Sequence, residues 1–390
     1  MTRFFLLTLL SILTLTGCNF RSPAYQKASQ PAGEDNDIDD IDVVDPDPEP
    51  NFTRVEIQGE QFYINGELTY KDVSWNGYTI EGLLMNSRMV QGIFDDLNTG
   101  TRDLWKYPDT GVWDPDRNTN EFVAAMPDWL SYGMLCFTLN MQGGSPITPG
   151  HDGWLNSAFD TQGNLRTDYL DRLDRILSKA DELGMVVILG LFYFGQDEYL
   201  EDETAIIAGV DNIMDWLFQK GYRNILIEIN NECDHSNYQH SILKSGRVHE
   251  LIERVKNNVQ NGYRFLVGTS FGGGHIPTSS VVQASDFILI HGNNVNSPDG
   301  ITSMITQTKQ VSGYTPMPIV FNEDNHYDFD APSNNFVAAV QSYASWGYLD
   351  FRNVGDAYEE GFQTVPVDWQ ISSARKQAFF NLCQEITTGN

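Results

Sequence analysis

Two glutamates, Glu232 and Glu323, each close an apolar run, and their placement predicts chemistry shared between them. The first ends Asn224-Ile225-Leu226-Ile227-Glu228-Ile229-Asn230-Asn231-Glu232-Cys233-Asp234-His235, where β-favouring residues lead into amides and carboxylates. That is the pattern of a buried parallel strand delivering its last side chains into a site. The second ends Pro318-Ile319-Val320-Phe321-Asn322-Glu323-Asp324. Two carboxyls from different strands meet what glycosidic bond cleavage requires, one donating a proton and the other serving as nucleophile or base. A single glutamate at a strand end is more often ion-paired or solvated, so the expectation rests on the pair. Alternation puts Glu228, Asn230 and Glu232 on one strand face and Ile227, Ile229 and Asn231 on the other. Glu232 then reaches a cleft with Asn231 beside it, and Glu228, deeper on the strand, reads as structural.

The elements that position these residues alternate between two periods. Strands are predicted at residues 69–75, ending in Trp75-Asn76-Gly77, at 133–140, at 185–191 running into Phe192-Tyr193-Phe194, and at the Glu232 run. Further strands follow at 265–270, at 287–291 ending in His291, at the Glu323 run and at 347–351. Between them, residues 167–183 place Leu170, Leu173, Ile176, Leu177, Ala180 and Leu183 on one helical face with Gly184 as the stop. Helices are also predicted over 206–218, 242–259, 301–310 and 336–346. This alternation predicts an α/β fold, a right-handed parallel (β/α)8 TIM barrel whose site lies at the strand carboxyl ends. Val55-Glu56-Ile57 and Phe62-Tyr63-Ile64 read as a hairpin plugging the barrel's bottom, and the aromatic-rich residues 78–132 as one wall of a cleft.

Met1-Thr2-Arg3 and the short apolar run 4–15 have the form of an export signal, too short to span a bilayer. The run ends in Leu15-Thr16-Gly17-Cys18, similar to a bacterial lipobox, which would make Cys18 an acylated mature N-terminus. Residues 19–51 are polar and acidic and read as a disordered spacer, leaving 52–390 as one catalytic domain. The expected location is the bacterial cell envelope, outer membrane or cell surface, with membrane contact through the lipid only. The formal charge of −29 opposes nucleic acid and strongly anionic polymers as partners. Cys136, Cys233 and Cys383 are scattered, unlike a disulfide or metal framework. No cofactor is implied, and no metal, because His291 lacks a histidine partner on a neighbouring strand.

Ile227-Glu228-Ile229-Asn230-Asn231-Glu232-Cys233 resembles the fourth-strand run of glycoside hydrolase family 5 in clan A. That run is an aromatic or apolar residue, Glu, two residues, Asn, Glu and Pro, matched here except at the last position. The resemblance implies Glu232 as acid/base, Asn231 as the residue holding the sugar's 2-hydroxyl, and Glu323 as nucleophile. His291 stands where the family has a His followed two residues later by Tyr, although position 293 is Asn. The second strand ends in Asn140 and Gln142 where the family places Arg. Trp75, Asn76, Asn140, Tyr193 and Trp154 complete the candidate substrate-binding set, rings offering area to sugar faces and amides binding hydroxyls. The implied reaction is retaining hydrolysis of β-glycosidic bonds in a neutral oligo- or polysaccharide, with the carboxyl groups about 5–5.5 Å apart. Burial and the second carboxyl should raise Glu232 toward about 6. The competing reading is a noncatalytic, glycan-capturing surface lipoprotein on a decayed barrel. Nothing in the sequence separates internal from terminal attack or sets an oligomeric state.

Overall fold

The computed structural model describes residues 52–146 and 153–390. The predicted export signal with Cys18 and the acidic spacer through residue 51 lie outside them. Strands β1 (Val55–Gln58), β2 (Gln61–Ile64) and β3 (Glu67–Leu68) form an antiparallel sheet. Strands β4 (Ser74–Trp75) and β5 (Tyr78–Thr79) pair across Asn76-Gly77, whose φ angles of +48° and +83° suit a tight hairpin turn.

Eight further strands then alternate with eight helices. In chain order they are β6 (Asn86–Arg88), α1 (Pro115–Ser131), β7 (Cys136–Asn140), α2 (Thr167–Leu183), β8 (Val186–Phe192), α3 (Glu203–Lys220), β9 (Ile225–Asn230) and α4 (His249–Asn257). They continue with β10 (Leu266–Gly268), α5 (Ser279–Ala284), β11 (Ile288–His291), α6 (Pro298–Lys309), β12 (Ile319–Glu323), α7 (Asn335–Gln341), β13 (Gly347–Tyr348) and α8 (Ala374–Thr388). Pairing is parallel from β13 through β6, β7, β8 and β9 to β10, and between β11 and β12. Bridges from Val320 to Ser345 and from Asp324 to Tyr348 join β12 to β13. Between β10 and β11, the Asp286 amide donates to the Val267 carbonyl at 2.9 Å. The eight strands and helices make a (β/α)8 barrel.

Alternate strand residues point inward. Low in the barrel they are apolar: Leu84, Cys136, Val186, Leu226, Phe287, Leu289 and Val320 pack together with Val55 and Phe62 of the N-terminal sheet. That sheet is therefore the plug. Toward the strand carboxyl ends the inward positions become polar, with Asn86, Arg88, Thr138, Asn140, Glu228, His291 and Asn322 all buried. Residues of the other parity, such as Val187, Leu189, Ile227, Ile229 and Ile290, pack in the core that contains the helix faces.

Four boundaries differ most from the sequence reading: residues 342–346, expected in a helix, lie beyond α7, which ends at Gln341. The first barrel strand is β6, not residues 69–75, because Asn-Ser-Arg carries little β propensity and the strand is only three residues long. Residues 242–259 are not one helix; a 3-10 turn at Ser241–Leu243 precedes α4, with Ser245-Gly246 between them. Helix α1 lies inside what reads as loop, hidden by Pro127 in its interior. Its start is nonetheless encoded. Asp114 accepts from the amides of Asp116 and Arg117, and Pro115 occupies the first turn. Asp114→Ala should destabilise the protein by about 0.5–2 kcal/mol, measured by urea unfolding; no change would mean that α1 is held by its packed face alone.

Candidate active site

The polar end of the barrel collects its residues from four strands. Arg88 closes β6, His291 closes β11, Glu323 closes β12, and Asn231 and Glu232 follow β9 directly. Glu232 adopts φ +50°, a left-handed conformation that costs a non-glycine residue about 1–2 kcal/mol. Ser270 holds the turn: its hydroxyl accepts from the Glu232 amide and its carbonyl from the Cys233 amide, each at 2.9 Å. The turn breaks the simple alternation expected for this strand. Asn231 and Glu232 both line the cavity. Asn230 turns away, donating to the Leu243 carbonyl and accepting from the Thr269 hydroxyl, both at 2.9 Å.

Glu323 is 8% exposed. Its Oε2 lies 3.0 Å from the Arg88 Nε, and its Oε1 accepts from the Asn293 side-chain amide. His291, fully buried, places Nδ1 at 3.1 Å from Glu232 Oε1 and 3.7 Å from Glu323 Oε2. One ligand atom from each of Glu232, His291 and Glu323 lies within 4.8 Å of the others. The cavity above them has a volume of about 260 Å³.

Burial pushes Glu232 up, but the His291 hydrogen bond and the charges of His291 and Arg88 outweigh it and hold the carboxyl below its ordinary value. Burial pushes His291 down, yet Glu323 and Glu232 together raise it above the usual imidazole value. The expectation of a raised Glu232 is thereby corrected: a buried imidazole stands between the two carboxyls, and its hydrogen bond and charge outweigh the burial that would raise Glu232. The linkage has a definite sign. The raised His291 adds stability below its unfolded value near 6.5, and loses it as pH rises through the folded value. The lowered Glu232 adds stability above 4.5, and loses it as pH falls through the folded value. The stability advantage of wild type over His291→Gln should therefore be largest between pH 4.5 and 6.5 and shrink on either side. Urea midpoints across pH test this; a difference independent of pH would sink it.

The same three side chains could each offer a ligand atom to a cation. The Arg88 guanidinium already supplies positive charge to Glu323 and opposes a second cation there.

No family model matches the chain, and no curated protein matches its sequence. Its structure is similar to the endo-1,4-β-mannanase of Rhizomucor miehei, with a TM-score of 0.53 and 10% identity over 86% of this chain and 100% of that one. It is also similar to the β-1,4-D-mannanase of Cryptopygus antarcticus, with a TM-score of 0.51, 12% identity, and 87% and 95% of the two chains covered. A glycoside hydrolase family 5 mannosidase from Rhizomucor miehei gives 0.50, 11% identity, and 86% and 97% coverage. The chain shares their fold. At these identities the likeness is one of fold.

Of the residues singled out from sequence, Glu232, Glu323, Asn231 and Tyr193 line the cavity, and His291 lies buried against both carboxyls. The Tyr193 hydroxyl is 2.6 Å from the Ser145 hydroxyl. The Asn231 amide oxygen has no protein partner among the described residues. Four candidates lie elsewhere. Trp75 donates from its indole nitrogen to Glu385 of α8, near that helix's carboxyl end and so at the foot of the barrel. Asn76, in the hairpin turn next to it, is exposed. Asn140 is buried inside the barrel, its amide oxygen only 2.4 Å from where a Cβ on Gly190 would stand. Trp154 packs toward Phe94, 6.3 Å between ring centres, in an aromatic cluster beside the mouth. Glu228 is fully buried, with no hydrogen-bond partner for either carboxyl oxygen among the described residues. Cys233 is a packing residue: burial, then the Asp234 charge, push its thiol up.

Arg88 and Asn293 are the cavity-lining partners of Glu323 that the sequence reading missed. For Arg88 a signal exists, because Leu83-Leu84-Met85 running into Asn86-Ser87-Arg88 repeats the apolar-to-polar pattern of the other strand ends. Asn293 stood out only as a departure from the family's Tyr, yet its amide reaches the Glu323 carboxylate.

Proposed function

We propose that the chain is a retaining glycoside hydrolase cleaving β-glycosidic bonds in neutral oligo- or polysaccharides through Glu232 and Glu323. The observation that carries this reading is the closeness of the pair, with an oxygen of each within 4.8 Å. That nearest-atom approach accords with retaining enzymes, whose carboxyl groups stand about 5–5.5 Å apart, better than with inverting ones, whose groups stand about 6.5–9.5 Å apart to admit a water.

Arg88 and the Asn293 amide each bind one Glu323 carboxyl oxygen and hold the side chain aimed, as a nucleophile requires. Its carboxylate oxygen bonds to the anomeric carbon as the bond to the leaving oxygen breaks. Glu232 gives its proton to that oxygen. The His291 Nδ1, 3.1 Å from Glu232 Oε1, is placed to pass a proton to that acid. Water then attacks the anomeric carbon, returns a proton to Glu232 and releases Glu323 as carboxylate, with configuration retained. Asn231 lines the cavity next to Glu232, where its side-chain amide can bind a sugar hydroxyl. The excess of acidic side chains favours an uncharged substrate over a polyanion. The proposal extends to location: export and anchoring to the cell envelope through lipid on Cys18.

The test is hydrolysis by the full chain of a panel of 4-nitrophenyl β-glycosides and neutral β-glycans. Cleavage with retained configuration supports the reading. Glycan binding without cleavage of any member would replace it with capture.

A further inference from the structure

Resting on that reading, we propose that the site admits a single terminal sugar, so that the enzyme removes residues one at a time from the non-reducing end. The barrel mouth is lopsided. Connections 89–114 and 349–373, which follow strands β6 and β13, are long, and residues 141–146 and 153–166 after the neighbouring β7 stand with them; connections 269–278 and 292–297, after β10 and β11 across the ring, are short.

The three long connections are tied to one another. Gln91 donates from its side-chain amide to the Gly144 carbonyl at 2.5 Å, and Gln363 does so to the Ser145 carbonyl at 3.2 Å. The Val365 amide reaches the Pro146 carbonyl at 2.8 Å. Asp96 accepts from the Leu155 amide at 2.9 Å and the Trp105 indole at 2.7 Å. Phe94, Trp105 and Val365 form a small core of their own, all but excluded from solvent. These ties make a wall rather than a set of separate loops.

The wall stands one layer thick against the carboxyl pair. Ser145, Phe351 and Gln363 line the catalytic cavity, whereas their neighbours Arg352, Thr364 and Val365 line a separate cavity of about 500 Å³ on the outer side. The Arg352 amide donates to the Thr364 hydroxyl at 3.1 Å, binding the two segments of this partition. The inner space of about 260 Å³ falls below the roughly 300–1,000 Å³ of sites that take drug-sized ligands. It suits one ring.

Geometry then orients the chain. A leaving group protonated by Glu232, beyond β9, exits over the low side at β10 and β11. The sugar attacked by Glu323 has its far, non-reducing side against the wall, where a further residue would have to pass through Gln363 and its partners. An internal segment of a polysaccharide does not fit.

The experiment uses the full chain and whichever sugar the aryl panel selects. Tetrasaccharides of that sugar, labelled at the reducing end, are supplied unblocked or with an acetal on the terminal non-reducing sugar, and products are separated by size over time. The expected first products are free monosaccharide and labelled trisaccharide, with the acetal lowering the rate at least 100-fold. Early labelled mono- or disaccharide, or equal cleavage of the blocked substrate, overturns the single-sugar site while leaving the glycosidase reading intact. Failure to cleave any aryl glycoside or β-glycan overturns the glycosidase reading itself, and this proposal with it.

Discussion

Glu323→Ala should lower kcat on an activated aryl β-glycoside by on the order of 10⁴–10⁶-fold, the scale seen when a covalent nucleophile is removed. Removing Glu323 leaves the apolar lower barrel closed but orphans the buried Arg88 charge, which itself costs stability, so kcat is compared on protein kept well below its unfolding midpoint. Azide is small enough to occupy the vacated space, and it should restore turnover while giving a glycosyl azide of inverted configuration. Glu232→Ala provides the contrast. With a leaving group that departs unaided, glycosyl transfer to Glu323 still proceeds, so the rate should fall most for poor leaving groups and azide should return a product of retained configuration. Inverted azide product from the Glu232 variant would exchange the two roles, and no loss in either variant would remove the pair from the chemistry.

Arg88→Met should lower stability by about 3–5 kcal/mol, the usual result of stripping one partner from a buried ion pair. The Arg88 side chain is 1% exposed and that of Glu323 10%, so water screens little of the attraction. Burial works against the Arg88 charge, but Glu323, with Glu228 and Glu232 contributing, raises its pKa overall. Without the guanidinium, Glu323 keeps only the Asn293 amide and His291 as partners and loses the contact that fixes its Oε2. Activity should fall with stability. Adding Glu323→Gln to Arg88→Met removes the orphaned charge and should recover much of the stability with none of the activity. Thermal and urea unfolding of the two variants decide the matter; equal destabilisation of single and double variants would mean that Arg88 acts through packing alone.

Much of this architecture is legible in the residues. Strands β8, β9, β11 and β12 are buried on both faces, so their unbroken aliphatic runs announce them, and the polar residues that follow mark the mouth. Helix α2 shows its buried stripe and its glycine stop. Elements whose sequence lacks such contrast were hidden. Strand β6 is three polar residues deep inside a barrel, polar because it serves the site, and the same fact conceals Arg88 from a search for β propensity. Helix α1 carries a proline, and Trp75 beside Asn76-Gly77 has the form of a strand end although it belongs to a hairpin at the opposite pole. Local pattern predicts that Glu232 ends a strand. It does not predict the left-handed turn that brings Asn231 to the same cavity, because that turn depends on Ser270, supplied by the next strand's end.

The carboxyl pair and its partners come from β6, β9, β11 and β12, and in the ring of strands β6 is joined to β12 through β13, the last strand to be made, with side chains such as Asn86 reaching across to the Phe321 carbonyl. Arg88 and Glu323 are therefore among the most distant pairings in the chain, and nothing local brings them together. A chain with most of its helices formed but its ring open would hold two solvated glutamates of ordinary behaviour and no nucleophile. Glycosidase competence would thus be an all-or-none property, and its appearance would mark the moment when the first and last strands of the barrel find each other.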